Sequence, residues 1–371
     1  MQRHLAALLV CVAVGLWFAE IRPQLEDRVH RGADGRPLHI PTYLPGDCPF
    51  YRAAATSLLR DGDLDLRNDP LWSVLRPESQ VALGARGEWY PKHPLLLPVL
   101  ALPFYAAAGD AGLLAFNLAQ LVALNALIFL AARRFTSDAS ALALCLWFAF
   151  GSLLRPVAYN FAPDVLSTLV VFAGYLALVS RRPALAGVLL GLAVWSKWTN
   201  LLFLPVAGVY ALLALDLRSA LRLSLAATPF LAALGVLNWH MFGSPLVTPY
   251  DRVLAAGGGV EPSHRAQFDL PFWSGLWRQV TDPRLGLLRS APQVLFAVPG
   301  VWFLWRQARS EAALVTAFCA VQMAVFAPYR AWHASNYGHR FLMTVVALSA
   351  IPVAALAQRV LDSRARESSQ G

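Results

Sequence analysis

The chain is a succession of long apolar runs separated by little except basic turns, and that pattern restricts it more than any other feature. The runs fall at about 5–19, 111–132, 139–154, 164–180, 184–197, 199–215, 219–241, 291–305, 310–328 and 341–358. A hydrocarbon core about 30 Å thick takes roughly 20 apolar residues as an α-helix, and several of these runs are that long. Inside lipid only a helix or a closed barrel satisfies every backbone N–H and C=O, and runs of this length select helices. Charged residues make up 14% of the chain, against about 25% in soluble domains. The expected fold class is an all-α polytopic membrane protein with about ten transmembrane helices, forming one domain over 1–371.

Where the charge sits decides its meaning. The net charge is +9, yet no basic patch interleaved with aromatics marks a soluble face, so nucleic acid is excluded as a partner. The arginines instead cluster at the ends of apolar runs: Arg133-Arg134, Arg181-Arg182, Arg218 with Arg222, Arg306 with Arg309, and the tail Arg359, Arg364 and Arg366. Lys and Arg favour cytoplasmic loops. With Arg3 inside, all of these fall inside only if the short stretch 94–108, which carries Pro94, Pro98 and Pro103, does not cross. That topology puts both termini in the cytoplasm and 359–371 in a cytoplasmic tail. It exposes 20–110, with juxtamembrane helices, and 242–290 as large outer loops, with a smaller one at 329–340.

Two features of the chain carry little chemistry. Cys11, Cys145 and Cys319 lie in apolar runs as small hydrophobes, and Cys48 alone is in a loop, so no disulfide framework or paired-cysteine metal site is available. The N-terminal run has a charged start but no small-residue cleavage site, so it reads as a retained anchor in a plasma or inner membrane.

The outer face gathers the reactive side chains. Gly46–Leu66 reads as an amphipathic helix with Asp47 at the N-cap, Pro49 in the first turn and Asp61-Gly62 as the stop. Tyr51 shares a face with Phe50, Ala54, Ser57 and Leu58. Asp61, Asp63 and Asp65 do not make a calcium loop, because the sixth position lacks glycine and Trp72 replaces the glutamate. Asp47 is either a helix cap or a cap that also acts as a base. Asp164, after Tyr159–Pro163 at the outer end of a helix, has the same two readings. Two carboxylates on one cavity suit an inverting transfer, one as base toward an acceptor hydroxyl and the other steadying positive charge or a bound cation.

Several basic and aromatic residues share that face. Lys92 and His93 sit where the first outer loop returns to the membrane, and a basic pair there binds a lipid phosphate or snorkels. Arg340 opens the last run from the outside, against the charge rule, which points to an anionic partner such as phosphate. Lys197 and Arg289 also stand at outer ends of runs, as phosphate ligands or snorkelling cations. Trp273, Trp332 and Tyr337 are stacking residues or members of an interfacial aromatic belt. His264 and Arg265 follow the flexible Gly257–Gly259, and the histidines as a set are too scattered to form a metal site.

Seven segments taken in order resemble the GT-C superfamily of membrane glycosyltransferases, which includes protein O-mannosyltransferases and the aminoarabinose transferase of lipid A. They are GDCPFYRAAATSLLRDGDLDL, YPKHPLLLPVLALPFYAAAG, YNFAPDVLSTLVVFAGYLAL, GVLLGLAVWSKWTNLL, NWHMFGSPLVTPY, LGLLRSAPQVL and YRAWHASNYGHRFLMTVVAL. The resemblance implies a polyprenyl-phosphate sugar donor, a lipid, glycan or protein acceptor, and an active site on the outer face of the membrane. It makes Asp47 the expected base and Asp164 the second loop's acid. It also puts Lys92 and His93 near the phosphate and Arg340 in the final G-x-R-type motif. Cys48 departs from the pattern, since many relatives carry a second acid there, which leaves a divalent metal near Asp47 open. The chain is short for the superfamily and ends soon after its last helix. Two other classes stay in view: a lipid or sugar transporter or flippase, which requires mid-membrane charges and inverted repeats, and an inactive assembly subunit, which Cys48 keeps open.

Overall fold

The computed structural model describes residues 1–31, 37–44, 46–73, 75–261, 264–333 and 339–368. Fourteen α-helices and four short strands follow one another along these residues. The first part holds α1 (Gln2–Leu25), β1 (Asp27–Arg31), β2 (Pro37–Pro41), α2 (Cys48–Arg60), β3 (Val81–Leu83), β4 (Trp89–Pro91) and α3 (Leu96–Ala132). The middle holds α4 (Asp138–Gly151), α5 (Leu154–Ala158), α6 (Asp164–Val179), α7 (Pro183–Ser196), α8 (Phe203–Tyr210) and α9 (Leu217–Phe242). The end holds α10 (Phe272–Thr281), α11 (Leu287–Ser290), α12 (Val294–Gln307), α13 (Arg309–Phe326) and α14 (Met343–Ser368).

Every run expected to cross is helical, but five helical stretches among the described residues combine crossing length with sufficient apolarity. They are Leu96–Ala132, Trp198–Leu215, Leu217–Phe242, Arg309–Phe326 and Arg340–Ala365. Four others, including Asp164–Val179 and Pro183–Ser196, are apolar but shorter. The segment 20–110 also contains two antiparallel hairpins, β1–β2 and β3–β4, that the hydropathy pattern does not signal. α14 forms the centre of the bundle, with Val346, Leu348, Ile351 and Ala354 fully buried. Opposite faces of α8 and α9 and the π-helical turn between them leave Val209, Leu213, Leu225 and Val236 bare, an apolar exterior suited to lipid rather than water.

The stretch 94–108 becomes the first arm of α3 rather than a separate helix. The helix breaks at Ala108 and Gly109, where Gly109 takes φ 55 and ψ −135, a conformation that only glycine adopts without strain. Beyond the break the chain doubles back. The Phe104 and Phe116 rings lie 4.9 Å apart although twelve residues separate them, whereas a straight helix would hold them about 18 Å apart. A Cβ on Gly112 would meet the Phe104 carbonyl oxygen at 1.9 Å, so the two arms touch backbone to backbone there.

At the end of the bundle away from the two strand hairpins, a second charge cluster ties helices together. Arg134 donates to both carboxylate oxygens of Glu311, at 2.7 and 2.6 Å, and the buried Tyr175 hydroxyl donates to the same group. Thr136 bonds Gln358 at 3.1 Å, joining the ends of α3 and α14. A buried carboxylate needs such partners, because its desolvation costs several kcal/mol.

The contact at Gly112 carries a prediction. Gly112→Ala must pry the α3 arms apart, and overpacking of this kind costs about 1–3 kcal/mol. Gly208→Ala is the control, since nothing lies within 4 Å of a Cβ added there. Thermal unfolding in detergent is expected to show a lowered midpoint for the first variant and an unchanged one for the second.

Candidate functional site

A cavity of about 590 Å³ opens where α2, the 91–95 loop, the start of α6, the turn after α7, the segment 248–268 and the lead-in to α14 converge. Each wall follows from local sequence. Pro49 starts α2 in its first turn, and the helix ends at Asp61 before Gly62 at φ 72. Asp47 occupies the N-cap position as expected, but its side chain makes no capping bond. It turns into the cavity, accepting from Arg340 Nη2 at 3.0 Å and standing 3.8 Å from His93 Nε2. The cap reading of Asp47 is therefore replaced by an ion-pair reading.

Arg340 is the hub. Its guanidinium also lies 3.8 Å from Asp164, and the Phe341 ring sits 5.2 Å beneath it. Asp164 occupies the first turn of α6 after Pro163, is 2% exposed, and accepts from the Lys197 ammonium. Lys197 in turn stands 5.4 Å over the same Phe341 ring. The result is an unbroken alternation of charge, Lys197–Asp164–Arg340–Asp47–His93, across the cavity floor. Both carboxylates are thus held between cations.

That neighbourhood fixes protonation. Burial alone would raise the Asp47 carboxyl, but His93, Arg340 and Lys92 outweigh it and hold it down at about 2. Burial pushes the Tyr51 and Tyr250 phenols upward, so both stay protonated as hydrogen-bond donors. His93 stacks on Tyr51 with ring centroids 4.9 Å apart and meets Tyr250 edge-on at 6.5 Å.

Lys92 occupies a different place from that expected of a phosphate ligand. Its ammonium donates to the Ser79 carbonyl and to Gln80 Oε1 at 3.3 Å, so it braces the 79–80 turn. Burial lowers its pKa, while Asp47 and Glu261 pull it back up. Ser79 adopts φ 64, a left-handed conformation that side chains rarely take. It is fixed there by its N–H to the Leu254 carbonyl at 2.9 Å and by its hydroxyl on Glu261. The roof is a small β-arrangement: Leu83 N–H donates to Arg252 O at 2.7 Å and Leu254 N–H to Val81 O at 2.9 Å.

Of the residues singled out from sequence, Asp47, Tyr51, Lys92, His93, Asp164, Lys197 and Arg340 all line this one cavity. Arg289 does not; it is exposed on α11. Trp332 is buried and stacked on His339 at 4.8 Å, with its plane only 3° from the imidazole, so it is not free to stack on a ligand. Tyr337 and the side chains of His264 and Arg265 lie outside the described residues. Sequence reasoning did not single out Ser79, Gln80, Tyr250, Glu261, Phe268 and Tyr329, which also line the cavity. A polar residue in an ordinary loop carries no periodicity, and only Tyr250 and Tyr329 lay within recognised segments.

A divalent metal does not fit this donor set. Among the described residues no group of three or more His, Cys, Asp and Glu side chains could hold an ion. The two carboxylates already face Arg340 from both sides. Cys48 is buried and its thiol is pushed up, so it stays protonated rather than becoming a thiolate ligand.

A polytopic helical bundle with a charged cavity at one end defines an integral membrane protein with a polar binding chamber. Its fold has counterparts among solved structures. The chain is similar to ArnT from Cupriavidus metallidurans in the apo state, with TM-score 0.57, 14% identity, 95% of this chain and 59% of that one covered. It is similar to the same protein bound to undecaprenyl phosphate, with TM-score 0.53, 13% identity and the same coverage. It is also similar to the oligosaccharyltransferase AglB from Archaeoglobus fulgidus in complex with an inhibitory peptide and a dolichol-phosphate. There the TM-score is 0.52, the identity 13%, and 98% of this chain and 52% of that one are covered. The chain thus spans between half and three-fifths of the length of these proteins. No protein-family model and no curated protein matches it.

The Asp47–Arg340 pair gives a signed pH prediction. A carboxyl held at about 2, below its usual 3.8, stabilises the fold by about 2 kcal/mol, a contribution complete above the usual value and lost as pH falls toward 2. Arg340→Gln removes the hydrogen-bonded cation and leaves a half-buried, underpaired carboxylate. Its melting temperature is expected to fall at neutral pH and to recover part of the gap on acidification, as Asp47 takes up a proton. An Arg340→Gln protein that melts like wild type at both pH values would refute the pairing.

Proposed function

We propose that this protein is a glycosyltransferase that moves a sugar from a polyprenyl-phosphate donor to an acceptor hydroxyl at the outer face of the membrane. The observation that carries the reading is the set of cations at the cavity floor, Arg340 and Lys197, grouped around two carboxylates within a GT-C bundle. Neighbours of that fold include structures bound to undecaprenyl phosphate and to dolichol-phosphate.

The chemistry is a single displacement. The acceptor oxygen forms a bond to the anomeric carbon as the bond from that carbon to the phosphate oxygen breaks, and the polyprenyl phosphate leaves with the bonding electron pair. Attack opposite the leaving group inverts the centre. Asp47 receives the acceptor proton. Arg340 and Lys197 bind the phosphate and stabilise its charge as it departs, so no acid is needed on the leaving side. Asp164 keeps both cations in place. Lys92 supports the roof by fixing the 79–80 turn, and its effect on phosphate is electrostatic rather than through direct contact. The roof offers Ser79, Gln80, Thr248, Glu261 and Gln267, neutral or acidic groups suited to hydroxyl-bearing acceptors. The charge distribution favours both termini in the cytoplasm and about ten crossings, which puts this cavity on the outer side.

The test is transfer from a radiolabelled polyprenyl-phosphate sugar in membranes. Asp47→Asn is expected to lower the rate about 10²–10⁴-fold, the usual contribution of a positioned base. Arg340→Lys is expected to raise KM for the donor, because a point charge does not replace a planar fork. Equal transfer by wild type and Asp47→Asn rules out Asp47 as the base. Movement of the lipid across the bilayer without sugar transfer replaces this reading with a flippase.

A further inference from the structure

α10 presents an aromatic face that no described residue covers. Trp273 is 77% exposed and Trp277 69%, and at i and i+4 they share one side of the helix. The opposite side is fixed to the bundle. Gly275 and Gln279 are buried, and a Cβ on Gly275 would meet the Ala327 carbonyl oxygen at 1.7 Å, so the α10 backbone lies directly on the end of α13.

Charge flanks this face. Arg278, Arg284 and Arg289 are all exposed, and the single acid between 271 and 290 is Asp282. The Asp282 carboxylate is already engaged, accepting from the N–H groups of Arg284 and Leu285 at 2.9 Å each. The stretch then leads into α12, whose exposed side is continuous apolar surface, with Leu295 53%, Phe296 48% and Val298 74% exposed.

We infer that α10 is a surface anchor lying along the membrane–water interface, its tryptophans among the headgroups, with Arg278 and the following Arg284 and Arg289 on anionic lipid phosphates. Tryptophan favours that zone because its ring is apolar and its N–H is polar. A helix with aromatics on one side and arginines beside them binds anionic bilayers by both area and charge. Three exposed arginines against one acid, Asp282, and the adjoining bare face of α12 select an anionic lipid surface over a protein partner.

The anchor is joined to the cavity. The Leu270 N–H donates to Pro328 O at 3.0 Å, Arg330 pairs with Asp269, and the Phe268 and Tyr329 rings lie 4.8 Å apart. Phe268, Phe326 and Tyr329 form one cavity wall. Seating α10 on headgroups therefore sets that wall at the level of lipid phosphates.

The test uses the full chain in vesicles of phosphatidylcholine with phosphatidylglycerol, with or without acyl chains brominated near the headgroup. Subtracting the emission of Trp273→Phe/Trp277→Phe from wild type isolates two of the twelve tryptophans, and phenylalanine preserves the apolar face. The difference emission is expected to be quenched at least about twofold by brominated lipid and hardly at all by aqueous acrylamide. It is expected to lose most of that quenching in Arg278→Gln/Arg284→Gln or in phosphatidylcholine alone. Quenching by acrylamide but not by brominated lipid would overturn the proposal, showing a face in water. Protection from both would also overturn it, showing a second copy or another protein on α10. Quenching by brominated lipid that is unchanged in phosphatidylcholine alone would refute the role of the arginines. None of these readouts depends on sugar transfer, so the result stands apart from the catalytic reading.

Discussion

Arg340, near the end of the chain, holds two acidic residues that are far from it in sequence. Asp47 lies 293 positions away and Asp164 176 positions away, yet both face one guanidinium at 3.0 and 3.8 Å. Removing a charge from water costs several kcal/mol even after relaxation, so none of these groups is stable in the cavity alone. Each is tolerable because the next one is present: Lys197 for Asp164, Arg340 for both acids, His93 for Asp47. The convergence of α2, α6, the turn after α7 and the lead-in to α14 is what assembles that chain, and the chain in turn fixes where those elements meet. Apolar packing alone would allow α2 to slide along the bundle. A fork with two anionic partners does not allow it.

The roof shows the same dependence in backbone form. Ser79 adopts a left-handed conformation that costs on the order of 1 kcal/mol for a residue with a Cβ, and it persists because three contacts demand it. Its carbonyl accepts from Lys92, its N–H reaches Leu254 and its hydroxyl reaches Glu261. Ser79, braced by Lys92, thus connects the segment 75–95 to the one that carries Tyr250 and Glu261. A lysine that seems from sequence to await an anion is a strut whose charge is felt at Asp47 across the cavity.

Legibility followed physical range. The helical bundle was readable because lipid leaves the backbone no alternative, and a run of apolar residues states that condition locally. Asp47, Asp164, Lys197 and Arg340 were readable because a charge at the edge of an apolar run needs a reason. Arg340 was the sharpest case, since it opens an apolar run from the side opposite the basic turns at 133–134, 181–182 and 306–309. What the sequence did not convey was pairing. Nothing local in 79–80 shows that its carbonyl will take the Lys92 ammonium, and nothing near Trp332 shows that His339 will cover its ring. The fold-back of α3 at Gly109 was half visible: three prolines marked 94–108 as irregular, but a contact between Phe104 and Phe116 is a property of the bend.

A carboxylate held at about 2 looks too weak to act as a base at neutral pH, and the resolution lies in when the proton becomes acidic. In a displacement whose transition state resembles an oxocarbenium ion, the leaving bond is largely broken before the acceptor oxygen is fully bonded. The acceptor proton then acidifies late, on an oxygen that already carries positive charge, and a weak base suffices. In the proposed transfer the donor also changes the base. A phosphate arriving at Arg340 and Lys197 brings negative charge beside Asp47 and competes for the cation that holds its proton affinity down, so the carboxylate grows more basic as the donor binds. On the proposed function, the ion pair and the working base are two states of the same group, separated by the arrival of an anion. Pairing with Arg340 keeps Asp47 ionised and aimed, and in that reading the substrate releases it for proton transfer.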